Sequence, residues 1–405
     1  METTVAMSAR EALAALVSPE GRTDPYPLYE RLRAHGDLVE VKPGLYAAVG
    51  YAACDRALRD PRLRVQDAEG YDRAAPGWRA HSSLRGYADS MLYRNEPDHA
   101  RMRRLVSRGF TASRVAGMRT GIAEMTDRLL DGMAELGGDG SPVDFVAEFA
   151  SRLPIAVISA LLGVPESDHV WFREIAADLT LALEGFTSDG LAPADRAMDD
   201  LAAYFVELMD RRRGSDDVLS TLAHVRDADR LTGDELVGNM MLLLTAGFET
   251  TTFLLGHALL LAFEHPEHAA RLRADDAFAP GYVEEVLRFE APVQATSRLV
   301  AEDSELFGRT IPGGSKILVI LGAGNRDPKR YADPGLFDPE RTDVQPLSFG
   351  AGAHFCLGSP LSRLEASIAL PRLLQRFPGL AQAGQYTRRE TWVGRGLDTF
   401  PVTIV

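Results

Sequence analysis

With 405 residues, of which 45% are hydrophobic and 25% charged, the chain has material for a large core and falls in the ordinary globular range. Its 44 basic and 58 acidic side chains leave a net charge of −14, which argues against a general nucleic-acid or anionic-membrane binder while leaving room for a local basic patch. Two cysteines, Cys54 and Cys356, are too few for a disulfide framework and fit a reducing cytosol.

The first stretch, Met1 to Val17, carries Glu2 and Glu11 and no apolar segment flanked by positive charge, so neither a signal peptide nor an anchor is expected there. Pro25 to Ala34 reads as a short helix. Leu38–Val41 and Leu45–Val49 around Pro43-Gly44 give a β-hairpin signal, and Ala52 to Asp60 returns to a helix pattern that ends at Pro61. Arg62 to Asn95 lacks sustained periodicity but holds Tyr71, Trp78, His81 and Tyr87. It is expected to be a long, partly mobile loop, of the kind that carries function.

Helical patterns dominate from His99 to Leu136, from Asp144 to Leu162 and in pieces from Pro165 to Arg213, with breaks at Gly137-Gly138 and near Gly185 to Gly190. Asp216 to Asp229 reads as a short helix and an acidic turn. Thr232-Gly233-Asp234-Glu235 has capping-box spacing, and the helix it opens need not stop before His265-Pro266. Its apolar run from Met240 to Phe263 is long enough to span a bilayer. Glu249, three threonines and His257 are expensive in lipid, so a helix buried within protein is expected.

In the middle of that helix stands Ala246-Gly247-Phe248-Glu249-Thr250-Thr251, where small residues interrupt a bulky apolar face and an acid precedes hydroxyls. A buried acid without a task is costly, and Thr250 can bond either a helix carbonyl or a ligand. Packing alone is the alternative reading. Further on, Glu285 and Arg288 stand one helical turn apart, a spacing common in surface ion pairs. After Leu299 the periodicity becomes two, with turns at Gly308 and Pro312-Gly313-Gly314, a buried strand at Lys316 to Ile320 and a strand-like end at Thr399 to Val405.

Phe349 to Gly358 reads Phe-Gly-Ala-Gly-Ala-His-Phe-Cys-Leu-Gly, and Leu361 to Phe377 follows at helical spacing. Glycines let the backbone turn sharply and approach something flat, and a helix N-terminus favours an anionic sulfur. Cys356 is therefore a ligand or a nucleophile.

This loop resembles the haem-binding loop of the cytochrome P450 family, in its soluble bacterial, actinomycete-like class. The resemblance implies a mostly α protein with minor β, one P450 domain over residues 1–405 with a long central helix over the haem, and Cys356 as the thiolate ligand of a haem b iron. It implies that Phe349, Gly350 and Ala246 lie against the haem, and that His99, Arg103, Arg298 and His354 hold its propionates. Taken singly, each of those last four is an ordinary surface charge. Glu249 and Thr250 match the family's oxygen-activation motif and would deliver protons. Peroxide-dependent relatives typically lack this pair, so its presence favours dioxygen and electrons. Glu285, Arg288 and Arg341 resemble the family's buried structural network, and Phe248, Val293, Gln294 and Trp392 would line the substrate cavity with the Arg62 to Asn95 and Leu179 to Phe186 regions.

The function implied is that of a cytoplasmic monooxygenase in specialised-metabolite biosynthesis. It would insert one oxygen atom from dioxygen into a small organic substrate, free or tethered to a carrier protein, by hydroxylation or epoxidation. Electrons would come from a ferredoxin and an NAD(P)H-dependent ferredoxin reductase, with Arg101 and Arg104 as candidate contacts for an acidic redox partner; no nucleic acid and no membrane are implied. The alternatives are oxidative coupling, cyclisation or desaturation on the same haem, and a non-catalytic haem-binding sensor or recruitment protein. The sequence departs from the family pattern at Asn95-Glu96-Pro97-Asp98 and at Pro371, where a proline is expected to kink or end the helix.

Overall fold

The computed structural model describes residues 7–180, 182, 190–211 and 230–404. The expected break near Gly185 to Gly190, most of the Leu179 to Phe186 region and the expected helix and acidic turn of Asp216 to Asp229 lie largely or wholly outside the described residues. The chain folds as two compact units, each made of separate stretches. One comprises Met1–Val65, Pro280–Cys356 and Tyr386–Asp398; the other comprises Gln66–Ala279, Leu357–Gln385 and Thr399–Val405.

The first unit is organised on a five-stranded sheet in the order Leu38–Lys42, Leu45–Ala48, Lys316–Val319, Thr296–Val300, Leu63–Arg64. The expected hairpin forms its edge, with Leu38 opposite Ala48, and Leu45–Ala48 pairs in parallel with Lys316–Val319. Alternate side chains point to opposite faces. Tyr46, Ala48, Ile317 and Val319 join Cys54, Ala57, Leu58 and Leu347 on one side, while Ala47 and Val49 join Ala12, Leu16, Tyr29 and Leu32 on the other. Both faces are covered, which is why these strands read as continuous apolar runs. Cys54 lies fully buried with its Sγ 3.2 Å from the Ala48 carbonyl oxygen, and burial pushes its thiol pKa up, so it is an inert core residue.

The second unit is built around the helix Gly233–Glu264, 32 residues and about 48 Å long. Its capping box forms as expected, with the Glu235 N–H donating to Thr232 Oγ1 and the Thr232 N–H to Glu235 Oε2. Of its most apolar stretch, 72% is buried inside the protein. Helices Ser82–Ala88, Arg152–Leu162, His169–Thr180 and Ser359–Arg376 pack around it. Close approach is possible because a Cβ on Gly238 would lie 2.6 Å from the Gly86 carbonyl oxygen.

Two expectations are corrected. Arg62 to Asn95 is not a loop. It holds helices at Ala68–Ala74 and Ser82–Ala88 and 3₁₀ turns at Trp78–Ala80 and Met91–Tyr93. Asp67 caps the first helix through the Gly70 N–H, and Tyr71 packs at tilted angles against Trp78 and Tyr93 at centroid distances of 5.2 and 5.8 Å. Aromatic burial between short helices has no single period, which hid them. Second, Ser359–Arg376 continues through Pro371, whose ring is buried beside Ile368, Leu370, Leu373 and Leu374. Packing outweighs the lost hydrogen bond.

Candidate functional site

In the first unit, the cysteine loop is two 3₁₀ turns, Leu347–Phe349 and Gly352–His354, joined by glycines in conformations that other residues avoid. Gly350 sits at φ 68°, ψ −162°, a region open essentially to glycine alone. Gly352 has φ 71°, and a Cβ there would lie 2.6 Å from the Leu58 carbonyl oxygen. The loop is thus pressed onto the helix Tyr51–Arg59. The Cys356 N–H donates to the Phe349 carbonyl at 2.9 Å, closing the turn and fixing the direction of a half-buried thiol that is in no disulfide. His354 is half-buried in the same turn.

Arg298, on strand Thr296–Val300, is 5% exposed. Its Nη1 donates to the Ser297 carbonyl at 2.9 Å, and it has no carboxylate partner among the described residues. Burial brings its pKa down to about 10. A desolvated guanidinium of this kind calls for an anion.

The expected network also forms in this unit. Arg288 Nε and Nη2 donate to the two Glu285 carboxylate oxygens at 2.7 and 2.6 Å, and the remaining nitrogen bonds the carbonyls of Asn325 and Pro334. Glu285 also accepts the Asp338 N–H at 2.9 Å and lies 3.5 Å from Arg341 Nε. Spacing alone had left open a surface pair; burial decides for a structural one.

In the second unit, helix Asp98–Val106 carries His99 and Arg103 one turn apart. His99 is buried. Burial lowers its pKa, the Arg103 charge adds to the effect, and Glu96 opposes it from Nδ1 at 3.3 Å. Arg101 is not turned outward to a partner protein: it grips Glu235 at 2.5 and 3.0 Å, at the start of the long helix. Arg104 is exposed.

The long helix is buried from Met240 to Thr245 and again from Thr251 to Ala262. Between them Ala246 is exposed and Gly247, Glu249 and Thr250 are half-exposed. This window between the two buried stretches is where the acid and the hydroxyl of the motif reach accessible space. Thr250 Oγ1 donates to the Ala246 carbonyl at 2.8 Å, while the neighbouring Thr251 hydroxyl bonds Ser362 Oγ at 3.1 Å. A Cβ on Gly247 would lie 3.2 Å from Ile158, so glycine serves helix packing on that side.

The four expected cavity-wall residues divide. Gln294 is fully buried, accepts from Tyr29 Oη at 2.8 Å and donates to the Ala291 carbonyl at 2.7 Å, so its amide is a core cross-link. Phe248 is 8% exposed. Val293 and Trp392 are half-buried, packed against the two apolar clusters of the first unit, and the Trp392 indole N–H donates to Tyr29 Oη at 3.3 Å.

The cytochrome P450 family profile matches residues 195–390. The monooxygenase PikC of Streptomyces venezuelae is 39% identical over 94% of this chain and 91% of its own length. The chain belongs to the cytochrome P450 family. The 6-deoxyerythronolide B hydroxylase of Saccharopolyspora erythraea is 37% identical over 96% of this P450 and 98% of the relative. A solved structure of P450BioI with a fatty-acid-ligated acyl carrier protein superposes with a TM-score of 0.88, at 33% identity, over 95% of this chain and 100% of that one. This P450 is an enzyme of the monooxygenase family, mostly α with minor β, and haem is its cofactor. Its residues fit the group: Arg298 is a buried cation in want of a carboxylate, the cysteine loop is held open by glycines, and the long helix exposes Ala246.

Residues that the sequence reading missed include Glu365, 2% exposed with Oε2 unbonded, and the contact of His81 and Ser83 with Asp195. An acid on the apolar stripe of Ser359–Arg376 was the available signal for the first. Nothing in the spacing signals the second.

Proposed function

We propose that this P450 inserts one oxygen atom from dioxygen into a small organic substrate, by hydroxylation or epoxidation, in specialised-metabolite biosynthesis in the cytoplasm. The observation that carries the reading is the accessible window at Ala246 to Thr250, which presents an acid and a hydroxyl between two buried stretches of the long helix. A protein that only bound haem would have no use for a proton relay there. Relatives named as a monooxygenase and a hydroxylase support it.

When bound, the haem supplies the redox-active iron at which dioxygen is activated. Cys356 holds the iron through its thiolate. Arg298, His99, Arg103 and His354 would hold the haem propionates by charge-assisted hydrogen bonds, and Phe349, Gly350 and Ala246 would line the site that takes the haem. Glu249 takes protons from solvent and Thr250 passes them on, the Thr250 hydroxyl leaving the Ala246 carbonyl to do so. The apolar residues flanking the window keep bulk water out. Phe248, Val293 and Trp392 contribute walls to the substrate cavity. In this reading residues 1–405 act as one catalytic domain.

Electrons reach it from separate proteins, a ferredoxin and its NAD(P)H-dependent reductase. The test is a ferric absorption titration against free polyketides, macrolides, cyclic dipeptides, terpenes and carrier-bound acyl groups, followed by turnover under isotopically labelled dioxygen. A low-spin to high-spin shift and one labelled oxygen in the product are expected. Product without label would assign coupling, cyclisation or desaturation instead, and undiminished turnover in a Glu249→Gln, Thr250→Ala variant would overturn the proton-delivery role.

A further inference from the structure

At the far end of the long helix, His265, Glu267 and His268 each bring one ligand atom within 4.8 Å of the others. His265 follows the last helical residue, Glu264, and caps the next helix, Pro266–Ala274, whose opening proline fixes the turn. The His265 carbonyl accepts the N–H groups of both His268 and Ala269, at 3.0 and 3.2 Å, so the three side chains leave one tight corner of backbone. His265 and His268 are mostly buried, with side-chain exposures of 29% and 16%, while Glu267 is 63% exposed. The His268 ring lies beside Phe278 at 5.9 Å, and Arg271 sits over that same Phe278 ring at 4.0 Å.

We propose that this corner is a binding site for a divalent first-row transition ion of the zinc class, held by two imidazoles and one carboxylate. Two ligands bound to zinc at the tetrahedral angle stand about 3.4 Å apart. Glu267 Oε1 is 3.6 Å from His265 Nδ1 and 3.8 Å from His268 Nε2, so small side-chain rotations bring all three onto one ion. Nitrogen donors select against magnesium and calcium, and three protein ligands leave a fourth position for water. The carboxylate favours a cation, while the negative end of the 32-residue helix is offset there by the positive start of Pro266–Ala274. Glu264 and Arg271 are the nearest other charged groups in sequence on the two helices that meet here, and Arg273 follows on the second. His265 follows Thr250 by fifteen positions, about 22 Å along the helix axis, so the ion takes no part in oxygen chemistry. It ties together the two helices that meet at the corner, and the inference is independent of the monooxygenase reading.

The experiment is equilibrium dialysis of the haem-loaded protein against Zn²⁺, with thermal unfolding in parallel. One ion per chain is expected, with the melting temperature rising with Zn²⁺ concentration. His268→Ala and Glu267→Gln should each weaken binding at least tenfold while His35→Ala leaves it unchanged. The exposed Glu267 position keeps the test open if a histidine variant folds poorly. Equal affinity in the Glu267→Gln and parent proteins, or an equal loss in His35→Ala, would overturn the assignment.

Discussion

Glu285 and Arg288 face one another across one turn of a helix with both side chains fully out of solvent, joined by two parallel hydrogen bonds of 2.6 and 2.7 Å. Every polar atom Arg288 offers is used, on the carboxylate or on the carbonyls of Asn325, Pro334 and Leu336. Glu285→Ala would strand that guanidinium, at a cost of about 3–5 kcal/mol. Arg341, joined to Glu285 at 3.5 Å and partly reaching solvent, should cost less when changed to Ala. Urea unfolding of the two variants, read beside haem content, checks the order.

Arg298 gives a prediction with opposite signs in two states. Without haem it is a buried cation lacking a carboxylate among the described residues, and Arg298→Met should leave the haem-free protein as stable or more so. With haem the same change removes a charge-assisted bond worth about 1.5–3 kcal/mol, so haem should dissociate on the order of tenfold to a hundredfold more readily. Haem transfer to apomyoglobin measures the second effect and thermal unfolding of the haem-free protein the first.

Glu365 should make stability fall as pH rises. Burial holds its carboxyl neutral well above the usual range, so the native state keeps a proton that the unfolded chain loses near its ordinary pKa of about 4.3. Above that pH stability declines by up to about 1.4 kcal/mol per pH unit until the folded value is reached. Glu365→Gln keeps the shape and removes this slope. Urea midpoints from pH 4.5 to 8 should converge at the acid end and favour the variant at the alkaline end.

Asp195 acts with the other sign. It accepts from the Ser83 N–H at 3.0 Å and hydroxyl at 2.6 Å and meets His81 Nδ1 at 2.8 Å, holding Ser82–Ala88 to the helix Leu191–Arg211. Partial burial opposes its ionisation, but the Ser83 and His81 hydrogen bonds outweigh burial and lower its pKa. Its contribution is present above the ordinary Asp value of about 3.9 and is lost as pH falls through the lowered one. Asp195→Ala should cost about 1–3 kcal/mol. Hydrogen exchange should quicken in residues 82–88, and unchanged exchange there would count against the latch.

The hairpin at Leu38, the capping box at Thr232 and the cysteine loop were legible because each is a local signal, written in adjacent residues whose backbone preferences agree with the fold. The Glu285–Arg288 pair was legible only as a spacing. The core bonds of Gln294 to Tyr29 and Ala291 were not legible because those partners cannot be inferred from its neighbours. The helices between Arg62 and Asn95 were missed because their stability rests on aromatic contacts among Tyr71, Trp78, Tyr87 and Tyr93 rather than on an amphipathic stripe.

The sequence by itself determined the family and the long helix, since a glycine-spaced cysteine loop and an apolar run with a capping box depend on residues next to one another. The tertiary structure alone decided which charges are buried. It put Arg298 and Glu365 out of solvent with no ionic partner among the described residues, paired Arg101 with Glu235, and interrupted the buried middle of the long helix at Ala246 to Thr250. Burial is a sum over contacts from distant parts of the chain, and the cost of a charge depends on that sum and not on the residue's neighbours in sequence.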